Sequence, residues 1–394
     1  MSEGLVQCTV VVLALCISFA WADKLPGRQH SCPAEGSCQS MATEVPVIDI
    51  QALVSHQHSS VDWDTAAEAV AKAFEEWGFF QAVNHGIPES LLDGVVAKGR
   101  EMFSLPKADK SKFKRAATNA RGWYDDELTK RTRDWKEGFD FGHVPDADLP
   151  PDHPKNVVQD GYNQWPDESV PAFKETMEAF YSSAAQVAGH LLEGVASHLG
   201  LSREHFAPSF EPHTSYLRLN YYPPCPDPSM FSVNRHTDAG ALTVLLQENG
   251  TVALQVNHQG MGRWVSIPPV DGALTINVGD LLQVWTNDLF IAPEHRVLSQ
   301  ANSDRFSAPF FYNPAYHANV APLPLKTGRE KPPEADNELD RDRGGAAAAE
   351  EVELEPQERP RYRPLNWGEF RMKRFAGDFA DQGTEEVQIS HYRL

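Results

Sequence analysis

Two imidazoles and one carboxylate occupy positions from which they could bind a single metal ion. His236 and Asp238 are separated by one residue, so on extended backbone both side chains point to the same face. His295 lies far downstream, at the start of another run with strand character. Two histidines and one carboxylate can bind a divalent ion and leave coordination positions open. We therefore predict a catalytic metal site at these three residues, because a closed structural site would leave no room for a reactant.

The types of these ligands favour iron and oxygen chemistry. Two histidines with one carboxylate form the facial triad by which non-haem oxygenases hold Fe(II), where O2 and a chelating co-substrate must both reach the metal. An H-x-D triplet alone is weak evidence, since a lone histidine is more often a hydrogen-bonded structural residue. We give that structural interpretation to His85, His143, His258 and His317.

A second group of side chains, downstream of His295, favours a bound anion. Arg305, Ser307, Pro309 and Phe311 alternate along one predicted strand and therefore share a face. An arginine in a cavity needs an anion, and its guanidinium fork suits the distal carboxylate of a 2-oxo dicarboxylic acid whose other end chelates the metal. Considered in isolation, Arg305 could also be a surface residue of an ordinary strand.

Local patterns predict the elements that must position these residues. Apolar residues at helical spacing predict helices over 62–77, 88–103, 106–113 and 171–199, and Asn366 is predicted to cap a helix that runs to Phe375. Short runs of Val, Leu, Thr and aromatic residues, typical of a sandwich or barrel, predict strands over 45–50, 79–83, 216–222, 242–247, 254–256, 264–267, 273–278, 281–285, 295–299 and 305–312. The turn sequence Asn302-Ser303-Asp304 predicts a hairpin between the last two strands, and segment 122–141 is predicted to be irregular.

Composition restricts the possible partners. With 394 residues, 41% hydrophobic and 23% charged, the chain is typical of a globular protein with a sizeable core. A formal net charge of −20 argues against nucleic acid or an anionic membrane as partner, because both attract an excess of Lys and Arg. The five cysteines include no C-x-x-C pair. Cys32 and Cys38 could close one small loop in an exported protein, or remain free thiols.

Two segments are predicted to lie outside the folded body. Residues 1–40 form a leader with an apolar run from Leu5 to Ala20, followed by Ala20-Trp21-Ala22, which has the form of a signal-peptidase site. The first residues carry no Lys or Arg, so a signal peptide and an extension without effect on the fold both stay open. Residues 326–363 are rich in Glu, Asp, Arg and Pro and are predicted to be a disordered acidic insertion.

Several ordered motifs resemble one known family, the isopenicillin N synthase-like family of 2-oxoglutarate/Fe(II) dioxygenases. The motifs are 220–226 (NYYPPCP), 236–243 (HTDAGALT), 278–280 (VGD), 295–297 (HRV) and 305–307 (RFS). The resemblance extends through 45–50, 77–80 (WGFF), 85–88 (HGIP) and 134–137 (DWKE) and covers most of 45–325.

The resemblance implies a mainly β fold with flanking helices and a double-stranded β-helix, or jelly-roll, core. It implies a mostly helical N-terminal dioxygenase region at 41–200, the Fe(II)/2-oxoglutarate core at 201–325 and a C-terminal helix and tail at 364–394. The implied cofactors are Fe(II), 2-oxoglutarate, O2 and ascorbate. The implied site residues are the iron ligands His236, Asp238 and His295, the 2-oxoglutarate contacts Arg305 and Ser307 with Asn220 and Tyr222 nearby, and Phe311 toward the substrate.

The expected activity is oxidation of a small-molecule metabolite, by hydroxylation, desaturation or cyclisation, with release of succinate and CO2. One alternative is an iron oxidase of the same family that does not use 2-oxoglutarate, and another is a non-catalytic binding protein on the same scaffold, although the intact triad argues against the latter. We expect a monomer without stable membrane association. The family resemblance favours the cytoplasm, and a true signal peptide would instead direct the chain to the secretory pathway.

Overall fold

A computed structural model describes residues 44–55, 59–116, 119–129, 132–144, 161–227, 229–325, 359–375 and 387–394. The predictions for the leader at 1–40, and for the acidic insertion up to residue 358, concern residues outside these ranges. The described residues belong to one compact unit that spans 42–394.

The described elements begin with a short strand and alternate between helices and strands. The helices are α1 (Gln51–Val54), α2 (Ser60–Glu76), α3 (Glu89–Ser104), α4 (Lys107–Lys110), α5 (Phe173–His198), α6 (Asp280–Trp285) and α7 (Trp367–Phe375), with 3-10 turns at Ser111–Phe113, Ala207–Phe210, Gln259–Met261 and Ile389–Tyr392. The strands are β1 (Val47–Asp49), β2 (Phe79–Val83), β3 (Gly122–Tyr124), β4 (Leu128–Thr129), β5 (Thr132–Arg133), β6 (Glu137–Gly142), β7 (Tyr216–Tyr222), β8 (Phe231–His236), β9 (Leu242–Gln247), β10 (Leu254–His258), β11 (Arg263–Ser266), β12 (Leu274–Val278), β13 (His295–Leu298), β14 (Arg305–Tyr312), β15 (Asn319–Val320) and β16 (Leu365–Asn366). Among the described helices, none has the length and apolar composition needed to cross a membrane.

Two sheets of unequal size face each other and form the jelly-roll core. In the described part of the chain, the larger sheet has eight strands in the order β1-β2-β12-β9-β14-β7-β6-β3, and the smaller has four in the order β11-β10-β13-β8. The larger sheet includes β1, β2, β3 and β6, so its hydrogen bonding crosses the predicted boundary at residue 200. The mainly β fold with flanking helices is confirmed.

The central strands of the larger sheet are buried on both faces, which explains their sequence. On β14, Phe306 and Phe310 point into the hydrophobic core on the helical side, where α2, α3 and α5 pack. Arg305 and Ser307 alternate with them and line a pocket between the two sheets. Strand β9 follows the same rule, with Leu242, Val244 and Leu246 toward the helices. The period-2 pattern therefore gives one face to stability and the other to the pocket.

The predicted hairpin between the last two strands is wrong. Strand β13 pairs with β8 and β10 in the smaller sheet, whereas β14 pairs with β7 and β9 in the larger one. The residues between the two strands carry the chain from one sheet to the other. A turn sequence indicates where a strand ends, but it does not identify the strand with which the next strand will pair.

Two further secondary-structure predictions are wrong. The predicted strand over 281–285 is part of helix α6, in which every residue is buried. A short apolar run with all sides buried does not distinguish a strand from a helix. The segment predicted to be irregular, 122–141, contains β3 and β6 of the larger sheet. Its strand pattern is hidden by Gly138 and Gly142, where an added Cβ would come within 2.2 Å of the Tyr124 ring and 2.5 Å of the Tyr216 backbone.

The C-terminal helix begins as predicted. The side chain of Asn366 accepts a hydrogen bond from the backbone N–H of Glu369 at 3.1 Å, which caps the first turn of α7. The Trp367 indole donates to the Thr214 hydroxyl at 2.9 Å and ties the helix to the start of β7. These contacts hold α7 against the end of the pocket.

Asp288, just after α6, holds both of the late chain segments. Its carboxylate accepts hydrogen bonds from Tyr362 at 2.5 Å and from Gln283 at 2.8 Å. Arg361 and Arg393 approach it to 3.2 and 3.0 Å. Burial opposes ionisation, but these donors and cations hold the pKa of Asp288 below its ordinary value of 3.8. The charged form therefore fastens the segments at 359–366 and 387–394 to the body.

We expect Asp288→Asn to destabilise the protein at neutral pH by about 1–3 kcal/mol, because buried donors lose a charged acceptor. A depressed carboxyl pKa contributes stability above the unfolded pKa, and that stability is lost as pH falls through the folded pKa. Thermal melts of wild type and variant should therefore differ at pH 7 and converge below about pH 4. Asp93→Asn, on the exposed face of α3, serves as control and should leave the melting temperature unchanged. A difference in melting temperature between wild type and Asp288→Asn that stays constant from pH 7 to well below about pH 4 would contradict the account.

Candidate active site

The three predicted metal ligands meet between the two sheets. His236 ends β8, Asp238 follows it outside the strand, and His295 begins β13, with His236 and His295 in register across the strand pair. The Nε2 atoms of His236 and His295 lie 3.6 and 3.7 Å from Oδ1 of Asp238. One potential ligand atom from each residue lies within 4.8 Å of the others. In the described part of the chain this is the one such cluster of His, Cys, Asp and Glu residues.

Backbone carbonyls set the orientation of both imidazoles. Nδ1 of His236 lies 2.8 Å from the carbonyl oxygen of Asn234, and Nδ1 of His295 lies 3.1 Å from that of Pro293. A carbonyl can only accept, so each Nδ1 carries the proton and each Nε2 presents its lone pair to the cluster. Burial, together with the neighbouring His295 ring, lowers the pKa of His236 below its ordinary value and so favours the neutral ring. Neutral imidazole is the form that binds a metal.

Asp238 is held in the charged form that ligation requires. Burial opposes its ionisation, but the two imidazoles and hydrogen bonds from Thr243 and Asn277 keep its pKa below the ordinary value. The Thr243 hydroxyl and the Asn277 amide donate to Oδ2 at 2.6 and 2.8 Å. Oδ1 is thereby left to face the histidines. The two donors belong to β9 and β12, so the larger sheet orients a ligand carried by the smaller one.

Glycines allow the loop after Asp238 to pack tightly. The backbone N–H of Asp280 donates to the Asp238 carbonyl at 2.7 Å. A Cβ on Gly279 would lie 2.2 Å from the carbonyl oxygen of Gly240, and one on Gly240 would lie 2.1 Å from the Asn313 side chain. Neither close approach is possible with a larger residue. The HTDAG and VGD motifs are therefore two halves of one packed unit behind the carboxylate.

Arg305 is a buried cation with unused donors. It is 2% exposed, and its Nη2 donates to Oε1 of Gln247 at 2.9 Å. Its Nε and Nη1 are buried and have no hydrogen-bond partner among the described residues. Unpaired donors of a buried charge are costly, so the site suits an anion. Arg305 lines the same pocket as the three clustered ligands, and its guanidinium lies over the Tyr222 ring at 5.0 Å.

The predicted neighbours of Arg305 line the pocket with it. Tyr222 is opposite Arg305 and Asn220 is opposite Ser307 in the β7–β14 pairing. The Tyr222 and Ser307 hydroxyls are 3.1 Å apart. Phe311 lies toward the other end of β14 and stacks on Tyr216, with ring centroids 4.7 Å apart. The shared face of Arg305, Ser307, Pro309 and Phe311 is confirmed.

A charged wall that was not predicted from the sequence closes one side of the pocket. Lys136 Nζ lies 2.6 Å from Glu127, and Arg218 pairs with Glu127 at 2.9 Å and with both oxygens of Asp140 at 2.9 and 2.8 Å. Burial opposes ionisation of Glu127, but Arg218 and Lys136 hold its pKa well below the ordinary value. One sequence signal could have placed Arg218 in the pocket, because Arg218 alternates with Asn220 and Tyr222 on β7 and so shares their face. Gln247, Thr243 and Asn277 were also missed, because polar residues in buried strands have no pattern of their own.

The C-terminal helix closes another side of the pocket. Trp367, Arg374 and Phe375 of α7 line it together with Tyr216.

His85 uses both of its ring nitrogens in hydrogen bonds within a turn. Its Nε2 lies 2.9 Å from the Gly272 carbonyl oxygen, and its Nδ1 accepts from the backbone N–H of Ile87. Its structural interpretation agrees with these contacts.

A jelly roll that brings two histidines and an aspartate together, beside a buried arginine, defines a class of non-haem iron oxygenases. Two family models match this chain: the N-terminal region of non-haem dioxygenases, described from morphine synthesis, over residues 45–168, and the 2OG-Fe(II) oxygenase superfamily over residues 213–314. The oxoglutarate-dependent flavonoid 7-O-demethylase 1 of Ocimum basilicum is 32% identical over 294 residues, which cover 74% of each chain.

Other relatives agree with this match. Feruloyl CoA ortho-hydroxylase 1 of Arabidopsis thaliana is 34% identical over 286 residues, which cover 71% of this chain and 72% of the relative. A 2OG-Fe(II) oxygenase family protein from Caulobacter crescentus has a solved structure with a TM-score of 0.66 and 25% identity, covering 85% of this chain and 99% of that one. The chain belongs to the 2-oxoglutarate/Fe(II)-dependent oxygenase family, and it is an oxidoreductase that acts on a small molecule with Fe(II), 2-oxoglutarate and O2.

We expect His236→Ala and Asp238→Ala to abolish the retention of iron, because each removes one of three ligands. Iron per chain, measured by elemental analysis after anaerobic loading and desalting, should fall from about one in wild type to near zero. His258→Gln removes a buried histidine that does not line the pocket and should retain the metal. One iron per chain in a folded Asp238→Ala variant would contradict the assignment.

Proposed function

We propose that this enzyme oxidises a small-molecule metabolite, by hydroxylation, desaturation or cyclisation, with release of succinate and CO2. The observation that carries the proposal is the buried guanidinium of Arg305, whose Nε and Nη1 have no partner among the described residues, in the pocket of the clustered ligands. The oxidase alternative needs no dicarboxylate at this position. Family membership favours 2-oxoglutarate over that alternative.

In this proposal His236, Asp238 and His295 hold Fe(II), and Arg305 holds the distal carboxylate of 2-oxoglutarate. Bound together, Fe(II) and 2-oxoglutarate supply the oxidising chemistry with O2. Ser307 and Tyr222 add hydroxyl donors beside Arg305. Gln247 holds Nη2 of the guanidinium, and Nε and Nη1, which have no partner among the described residues, would be available to the carboxylate. Asn220, whose buried side-chain oxygen has no partner among the described residues, completes this end of the pocket.

The substrate is proposed to lie between the aromatic end and the charged wall. Phe311 and Tyr216 offer stacked rings, and Lys136 and Glu127 offer polar groups on the adjacent side. An occupant bounded by these surfaces would combine a flat apolar part with hydrogen-bonding groups. The relatives named above act on a flavonoid and on feruloyl CoA, so phenylpropanoid and flavonoid compounds are the first set to test.

The remaining expectations stay proposals. We propose that the enzyme works as a monomer, without nucleic acid or stable membrane association, and that ascorbate supports turnover by keeping the iron reduced. The net charge of −20 argues against both nucleic acid and an anionic membrane as partners. A cytoplasmic location is proposed from the family, with the secretory pathway as the alternative if the leader is a signal peptide.

The proposal predicts that Arg305→Ala raises the KM for 2-oxoglutarate by about 10- to 100-fold, the loss expected for hydrogen bonds to a charged group. Iron content should be unchanged, since Arg305 is not a ligand. The measurement is succinate formation as a function of 2-oxoglutarate concentration, in the presence of the substrate set. Arg263→Ala, an exposed residue of β11, is the control. An unchanged KM in the Arg305 variant would contradict the role of Arg305 as anchor, and oxidation of the substrate by the wild type without formation of succinate would favour the oxidase alternative.

A further inference from the structure

Asp134 is buried directly behind one of the proposed iron ligands. Its side chain is 0% exposed. Oδ1 accepts hydrogen bonds from the backbone N–H of Asn234 at 3.2 Å and from the Asn234 side-chain amide at 3.1 Å. The carbonyl of the same Asn234 accepts from Nδ1 of His236 at 2.8 Å. A chain of hydrogen bonds therefore runs from a buried carboxylate, through one residue, to the imidazole.

The other oxygen of Asp134 faces the charged wall of the pocket. Oδ2 lies 3.7 Å from Nζ of Lys136, which is 2.6 Å from Glu127. Glu127 in turn pairs with Arg218 at 2.9 Å. Lys136, Glu127 and Arg218 all line the pocket. Asp134 thus lies between the side chains that would face the substrate and the residue that orients His236.

Neighbouring contacts fix the segment that carries Asp134. Its backbone N–H donates to the Glu127 carbonyl at 3.2 Å, and that of Trp135 donates to the Phe231 carbonyl, at the start of β8, at 3.0 Å. The Trp135 indole donates to the Pro223 carbonyl at 3.2 Å. The carboxylate is therefore held in place from several directions, and it has a defined position relative to β8.

We propose that Asp134 is a positioning residue for His236. The inference rests on the proposed iron site. Two hydrogen bonds to one charged acceptor restrict rotation of Asn234, so its carbonyl keeps its direction toward Nδ1. That direction sets the tautomer and the ring plane of the ligand. His295 has no such support from this segment, because its Nδ1 donates to the Pro293 carbonyl.

The inference gives a role to the DWKE motif at 134–137, which the family resemblance includes without assigning one. The competing interpretation is that Asp134 only stabilises the fold. Asp140 provides a matched control for that interpretation, because it is also buried and charged. It pairs with Arg218 on the same wall and accepts from Tyr124 at 3.1 Å, but it does not contact Asn234.

The test compares Asp134→Leu and Asp134→Asn with Asp140→Asn, using Co(II) alone as the probe. Calorimetric titration should give a Kd for Co(II) about 10- to 100-fold weaker than wild type for Asp134→Leu, the usual effect of removing an outer partner of a ligand. Asp134→Asn keeps an acceptor but loses the charge, and should weaken binding at least about threefold. Asp140→Asn should bind Co(II) as wild type does, even if its melting temperature falls.

A second readout separates positioning from general destabilisation. In the NMR spectrum of the Co(II) form, we expect the paramagnetic ion to shift the exchangeable Nδ1–H signals of the two histidine ligands well outside the diamagnetic range. We expect the Nδ1–H of His236 to exchange faster with solvent in the Asp134 variants, while that of His295 keeps its wild-type rate. A purely structural role would alter both signals or neither.

The outcomes separate this inference from the proposed function. A wild-type protein that binds no Co(II) overturns the metal site and this inference with it. Tight binding by wild type and an equal Kd in folded Asp134→Leu overturn the inference alone, as does an equal loss in Asp140→Asn. If Asp134→Leu does not fold, Asp134→Asn decides: a Kd equal to wild type overturns the inference, and a weaker one with selective exchange at His236 supports it.

Discussion

The active site depends on one carboxylate, Asp238, that stays charged while buried between two sheets. A buried charge without partners is unstable, so the surrounding structure must supply them. Thr243 and Asn277 do this from one side by donating hydrogen bonds to Oδ2. The Nε2 lone pairs of His236 and His295 approach Oδ1 from the other side, where a bound metal ion would balance the charge. Both donors belong to the larger sheet, whereas Asp238 follows a strand of the smaller one, so the carboxylate gains these donors only when the two sheets pack together. The packing of the two sheets therefore also brings the residues of the metal site together.

The two sheets divide the chemical work between them. The smaller sheet carries the histidines, and the larger sheet carries the anion anchor Arg305 and the donors that orient Asp238. The surfaces that would meet a substrate come in part from elsewhere, from Glu127, Lys136 and the helix α7. The rigid jelly roll can therefore keep one chemistry while these outer elements change the substrate. Asp134 is of interest because it belongs to an outer element and yet contacts the support of a metal ligand.

The sequence predicted the site more completely than the fold around it. Alternation with period two placed Arg305 and Phe311 on one face, because successive side chains of a strand point to opposite faces of the sheet. The same rule cannot identify the partner strand, so the hairpin between β13 and β14 was predicted wrongly. Nor could local patterns show that Gln247 would meet Arg305 at 2.9 Å, since that contact joins residues 58 positions apart. Polar residues in buried strands acquire their roles from tertiary pairing alone.

The central claim is that one pocket binds Fe(II) and 2-oxoglutarate together, and an anaerobic visible titration tests it most directly. Purified protein is first given Fe(II) and then 2-oxoglutarate, and the weak charge-transfer absorption of a 2-oxo acid coordinated to Fe(II) is followed. The account predicts a band that saturates at one equivalent of each. Iron that binds while no band appears at any 2-oxoglutarate concentration would contradict it.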